Sequence, residues 1–421
     1  MKSNSYGKMN ITEFKMDNGL DVAVVTDKFV SGTVSSMIVN AGLFEPSGLS
    51  LDGIKINGVV ALVMAKAFKY SPIGSYDKIA FQFGELWETE VTSSKTIIKL
   101  RSRENHPKWI GAFLGSFSVF NVNKSFLEKA KQEAIFDIEK RLENENFIAE
   151  LKMANTLFSD LNQFEIIEHY RRMIDAVTVT ILRKFFSKYY ASQNMSLFVM
   201  GNVEEEMVKR VIEDSKLKSV KYKSVETDLN EGEDYAKANK ASCSIDVNRP
   251  YSRVVFGYKF PKRVDLYNKY QNSVFYTYPY LTNITFGSES AFVKKAMDKG
   301  YLTRVANIDV VEINEKTMLF GNIITFEPDK LIALFKSSKL VTKNPSGITF
   351  NNIVKSRQLE IQKNSHNIEY VRNLYIKAHS NNIKLSEYIE NSCELNKSIL
   401  KDILTDMKDY PYTIYLERGK K

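Results

Sequence analysis

The sequence predicts an α+β protein of two related domains, each a mixed, mostly antiparallel sheet flanked by helices. Three observations lead there. The chain has 421 residues, which is too long for one ordinary core and suits two domains of about 200 residues each. Residues 224–240 (SVETDLNEGEDYAKANK) are polar, mostly acidic and aperiodic, so they read as a linker between residues 1–223 and 241–421. The two flanks then repeat one order: strand, helix, strand pair, long helices, strand.

In the first half, the turn pair Asn18-Gly19 precedes a Val-rich strand at 20–25, and 32–42 holds a second with alternating character from Val34 to Val39. Residues 57–70 form an apolar helix with little charge, which should be buried on most sides. A short helix follows at 75–83, with Ser75 as N-cap and Asp77 in its first turn. Residues 86–100 read as a strand pair turning at Ser93-Ser94-Lys95, with Trp87, Thr89 and Val91 on one face. Helices are expected at 107–120, at 125–158 as one piece or two, at 177–190 and at 204–215; Ser125 and Glu128 suggest a capping box. Residues 195–201 form a buried strand. The second half offers a strand at 253–260 and a helix at 265–278 that Pro279 ends. A helix at 287–299 is stopped by Gly300. A strand pair spans 302–311 and 316–326. Helices at 328–339, 349–380 and 385–407 precede a last strand at 413–416.

Composition is globular, at 43% hydrophobic and 12% aromatic residues. No apolar run of about 18 residues exists, so no transmembrane helix is expected. The N-terminus MKSNSYGKMNITEF has no apolar core or small-residue cleavage pattern, so no signal peptide is expected. The two cysteines, Cys243 and Cys393, suggest a reducing compartment, the cytoplasm. The net charge is +9, but Lys is scattered and no basic stripe with aromatic platforms is present. That argues against nucleic acid and leaves acidic peptides or surfaces compatible. No P-loop or dinucleotide fingerprint occurs.

The first half opens with NGLDVAVVTDKFVSGTVSSMIVNAGLFEPSG (18–48) and closes with FSKYYASQNMSLFVMGNVEEEMVKRVIE (186–213). The second half contains GSESAFVKKAMDKGYL (287–302). These segments resemble the insulinase (pitrilysin-like) metallopeptidase family. The resemblance covers nearly the whole chain and is firmer at 14–215 than after 250. In that family a helix reads G-x-A-H-F-L-E-H-x-x-F. Its two His bind zinc and its Glu activates water, the logic of the inverted H-x-x-E-H motif. Residues 58–70, GVVALVMAKAFKY, match it at Gly58 and Phe68, while Ala61, Met64 and Ala65 stand at the His, Glu and His positions. The family's third ligand, a Glu on a later helix, falls near Asp137 or Glu139; in the second alignment Gln132 replaces a supporting acid. One carboxylate does not hold zinc, since a catalytic site needs three protein ligands and a water. The resemblance therefore implies a chain with no catalytic residue and no metal of its own.

It also implies how a peptide would bind, as a strand added to a sheet edge. The matching stretch contains Trp87, Glu88, Thr89 and Glu90, where the two acids would favour basic peptides; the competing reading is an ordinary edge protected by its charges. The Arg and Tyr that active members use in the second half are replaced by Ala296 and Thr303. None of His106, His169, His366 and His379 pairs with another at three or four residues, and neither cysteine has a recognisable His partner. In the family, two related domains make a half-clamshell, and two half-shells enclose a peptide. The implied function is a catalytically inactive subunit of a heterodimeric zinc peptidase, whose homologous partner chain carries the zinc. The alternative is a stand-alone peptide-binding or scaffold protein. A peptidase with a relocated metal site lacks ligands.

Overall fold

The computed structural model describes residues 9–43, 50–51, 54–55, 58–70, 86–103, 107–159, 163–215, 217, 233–313, 316–337 and 341–420. The helix expected at 75–83 and residues 224–232 of the expected linker lie outside them.

The chain packs into two compact units. The first gathers Met1–Lys140, Ile166–Asp228 and Ile361–Tyr388. Its sheet strands are β1 (Asn10–Lys15), β2 (Asp21–Thr26), β3 (Thr33–Val39), β6 (Leu86–Val91), β7 (Thr96–Ser102) and β8 (Met195–Gly201); β4 (Ser50–Leu51) and β5 (Ile54–Lys55) pair separately. The order is β1-β2-β8-β3-β7-β6. Helices α1 (Val59–Tyr70), α2 (Pro107–Gly115) and α3 (Lys124–Leu142) come from the first half, as do α5 (Gln163–Asp175), α6 (Val179–Tyr189) and α7 (Glu205–Asp214).

The second unit gathers Arg141–Glu165, Leu229–Glu360 and Ile389–Lys421. It takes α4 (Glu145–Leu157) from the first half. Its sheet has β9 (Ser242–Val247), β10 (Ser252–Lys259), β11 (Arg304–Ile313), β12 (Lys316–Thr325) and β13 (Tyr412–Gly419), in the order β11-β12-β10-β13-β9. Its other helices are α8 (Arg263–Tyr270), α9 (Ser273–Thr285), α10 (Ala291–Asp298), α11 (Pro328–Ser337) and α15 (Lys397–Asp406), with most of α12 (Gly347–Lys363) and the second half of α14 (Leu385–Cys393); α13 (Ile368–Ser380) falls in the first unit.

The two sheets share one topology. In the first, β2 and β8 pair in parallel, and β8/β3, β3/β7 and β7/β6 are antiparallel. In the second, β9 and β13 pair in parallel, and β13/β10, β10/β12 and β12/β11 are antiparallel. The first adds only β1, antiparallel to β2. The exchange is also reciprocal. A long helix in each half ends, an Asn caps the next helix, and that helix packs in the other unit. Asn144 Oδ1 accepts from the Asn146 and Phe147 amides at the start of α4, and Asn367 Oδ1 accepts from the Tyr370 amide at the start of α13.

Both faces of the central strands of each sheet are covered, which explains their sequence pattern. Every residue of β3 is buried, including Ser35 and Ser36, so the alternation expected at 34–39 does not expose one face. In the second unit, Phe256 stacks on Phe335 with ring centroids 4.2 Å apart. Gly257, the next residue, faces α4, where a Cβ would overlap the Met153 sulfur.

Several expectations are corrected. The stretch 125–158 takes the two-piece alternative, but Asn123, not the expected Ser125, caps the first helix by accepting from the Phe126 amide. Pro279 lies inside α9 rather than ending a helix; the break comes earlier, at Gln271 with φ 51°. The carbonyl of Pro279 accepts from Thr282 Oγ1 and Asn283 Nδ2, and most of α9 is buried, so packing holds it helical. The stretches 349–380 and 385–407 each divide, at Asn367 and Asn396 caps. Strands β1 and β9 and helix α5 were not expected.

Candidate functional site

Gly58 immediately precedes helix α1, with φ 59°, where a Cβ would overlap the Leu43 carbonyl. Only glycine satisfies both conditions. Gly58→Ala is expected to cost about 2–4 kcal/mol by urea denaturation, combining left-handed strain with a backbone clash; a loss within about 0.5 kcal/mol would contradict that geometry.

The face of α1 that would bear zinc is sealed in the core. Ala61 and Ala65 are 0% exposed and Met64 is 1% exposed. Phe68 packs on Phe117 and Tyr190 at 5.2 and 5.1 Å between ring centroids. The polar side of the helix carries Lys66, Lys69 and Tyr70. Lys66 Nζ lies 3.5 Å from Asp137 Oδ2 and 3.4 Å from Thr89 Oγ1. Lys69 Nζ lies 3.2 Å from Glu133 Oε1, to which Tyr70 also donates. Of the two acids considered for the third ligand, Asp137 therefore faces α1 and Glu139 faces α5, bonded to Arg171 and Tyr170. Gln132 is exposed.

Strand β6 is the last strand of its sheet among the described residues. Its two faces are distinct, as strand periodicity requires. On one, Trp87 meets Phe113 edge-on at 5.3 Å and Thr89 meets Lys66. The Trp87 indole N–H is buried without an acceptor among the described residues. On the other, Glu90 pairs with Lys99 at 2.9 Å and with Arg372 at 3.2 Å. Glu369 joins the same cluster, 3.2 Å from Lys99 and 2.6 Å from Arg372. Burial alone would raise the Glu369 carboxyl, but Arg372 and Lys99 hold it below its ordinary value. Arg372 comes from α13, so the exchanged helix is tied electrostatically to the edge. The two acids named for a basic peptide therefore differ in their surroundings. Glu90 is already neutralised, and only Glu88, with no ion-pair partner among the described residues, keeps an uncommitted charge.

The remaining candidates build no site. His366 Nδ1 is 2.6 Å from Asp27 and His379 Nε2 is 3.2 Å from Asp21, at opposite ends of β2. His169 is exposed, and His106 lies outside the described residues. Cys243 is half-buried on β9, and burial pushes the Cys393 thiol up to about 11. Ala296 is buried in α10 and Thr303 is exposed. Among the described residues, no group of three or more His, Cys, Asp or Glu could hold a metal. No described helix is long and apolar enough to cross a membrane.

Residues 176–337 match the family profile described as the peptidase M16 inactive domain. No curated protein matches the chain by sequence. Solved structures do resemble it in fold. A chain described as an M16-like peptidase from Alicyclobacillus acidocaldarius is 15% identical, with a TM-score of 0.80 over 98% of this chain and 99% of that one. A protease from Helicobacter pylori is 16% identical, with a TM-score of 0.76 over 98% and 100%. Pitrilysin is 14% identical, with a TM-score of 0.73, and 97% of this chain spans 44% of its length. Fold along the whole length and the profile across residues 176–337 are both similar to those of M16 (insulinase, pitrilysin-like) peptidases, and the chain lacks the H-x-x-E-H motif.

Proposed function

We propose that the chain is the catalytically inactive subunit of a heterodimeric zinc peptidase of the cytoplasm. It closes a chamber and helps hold a peptide that a homologous, zinc-bearing partner chain hydrolyses. The observation that carries the reading is that β6 is the last strand of its sheet among the described residues, beside an α1 whose positions 61, 64 and 65 hold no His or Glu. An added strand would bond to the β6 backbone whatever its side chains. Glu88 would favour a basic residue nearby.

The test is metal content and peptidase activity of the chain, alone and co-purified from its native host. The expected result is no zinc and no hydrolysis alone, with a homologous zinc-bearing chain and activity in the complex. A chain that purifies without any such partner would support the stand-alone binding reading instead. Stoichiometric zinc in the isolated chain would overturn both.

A further inference from the structure

Lys66 is the one charged residue in α1 before its last turn, and it sits next to the three positions that lost their zinc chemistry. Its ammonium touches three elements: it is carried by α1, lies 3.5 Å from Asp137 of α3 and 3.4 Å from Thr89 of the edge strand. The side chain is 15% exposed, so it is reachable but mostly desolvated. An ammonium has three donors. These two long contacts occupy at most two of them. Asp137 supplies one negative charge and so neutralises the ammonium without using all its hydrogen-bonding capacity.

From this placement we infer that Lys66 binds a backbone carbonyl oxygen of the peptide lying along β6. It stands in for the metal as the electrophile that grips the carbonyl but generates no nucleophile. An added strand runs about 4.8 Å from its neighbour. A donor within hydrogen-bond distance of Thr89 Oγ1 therefore reaches the peptide residue opposite Thr89. The site takes a neutral acceptor rather than a carboxylate, because Asp137 would repel a second anion. Peptides should therefore be held along their length, not by their C-terminal carboxylate. This rests on the peptide-binding part of the function proposed above.

The test uses a fluorescein-labelled peptide of about ten residues with alternating Lys and Val, a length that fills one strand. It is titrated by anisotropy into the full chain, alone and with its co-purified partner. Lys66→Met/Asp137→Asn removes the donor together with the charge it pairs with. Lys66→Gln/Asp137→Asn restores a donor. The Met form should bind at least about fivefold more weakly and the Gln form within about twofold of the parent, with melting temperatures unchanged. Should the Met form fail to fold, Lys66→Ala/Asp137→Ala replaces it. Equal affinity of the parent and the Met form would overturn the role of Lys66 and leave peptide binding intact. More than tenfold preference for a free acid over an amidated C-terminus would overturn the carbonyl assignment. No binding by the parent in either state would overturn both this inference and the peptide-holding role.

Discussion

Rebuilding the zinc motif with Ala61→His, Met64→Glu and Ala65→His should destabilise the chain by more than about 4 kcal/mol and yield no stoichiometric zinc. The three positions are 0%, 1% and 0% exposed and lie in a helix whose neighbours are already packed. Two Ala→His changes insert large rings where no space is left, at about 1–3 kcal/mol each. Each new polar group also enters an apolar surrounding without a partner, and an unmet buried donor or acceptor costs about 1–3 kcal/mol. Zinc could offset this only with a complete ligand set. Of the two acids considered for the third ligand, the one facing α1, Asp137, is held by Lys66, whose positive charge opposes a dication in the same place. Urea denaturation and metal analysis of the triple variant read the two quantities separately. Stability within about 1 kcal/mol of the parent together with one bound zinc would mean that the site decayed by side chain alone.

The parts of the fold that were legible in the sequence are those whose signal is local. The apolar runs of β8 and β12, the turn at Ser93-Ser94 and the stop at Gly300 each follow from a few adjacent residues. The breaks at Asn144, Asn367 and Asn396 were readable as caps but lay inside patterns whose apolar period continued across them. Strands β1 and β9 are edge strands with mostly half-exposed or exposed residues, so neither shows the apolar alternation that marks a strand; they exist through pairing with β2 and β13. Pro279 was misread because a local rule was overridden by burial of the helix around it. At the candidate site, the missing ligands were visible in the sequence, whereas the replacements were not. Lys66 with Asp137, and Lys99 with Arg372 and Glu369, join residues from separate elements. Only the register of the sheet and the placement of α13 bring them together.

Lys259→Met should cost about 3–5 kcal/mol, because it strands a buried carboxylate in the second unit. The Lys259 side chain is 0% exposed and its partner Glu233 is 2% exposed. The ammonium also donates to the carbonyls of Asp234 and Lys237, at 2.7 and 3.0 Å, and lies 5.0 Å from the centre of the Phe158 ring. It thereby fastens the 233–237 segment to β10. Glu233 in turn accepts from the amide and hydroxyl of Ser159, each at 2.9 Å. Burial pushes its carboxyl up, but Lys259 and Ser159 outweigh burial and leave it below the ordinary value. The sign of the pH dependence follows. A depressed carboxyl contributes stability that is fully present above its unfolded value, about 4.3, and is lost as pH falls through the folded value. Replacing both partners, as Lys259→Met/Glu233→Leu, removes the stranded charge and should recover most of the loss at pH 7. The double variant has no such carboxyl to protonate, so its stability relative to the parent should rise as pH falls from about 5 toward 3. Denaturant titrations of the parent and both variants at the two ends of that range test this. A single variant as stable as the parent at pH 7 would show that the pair adds nothing, and a pH-independent difference between parent and double variant would show that Glu233 is not held ionised by Lys259.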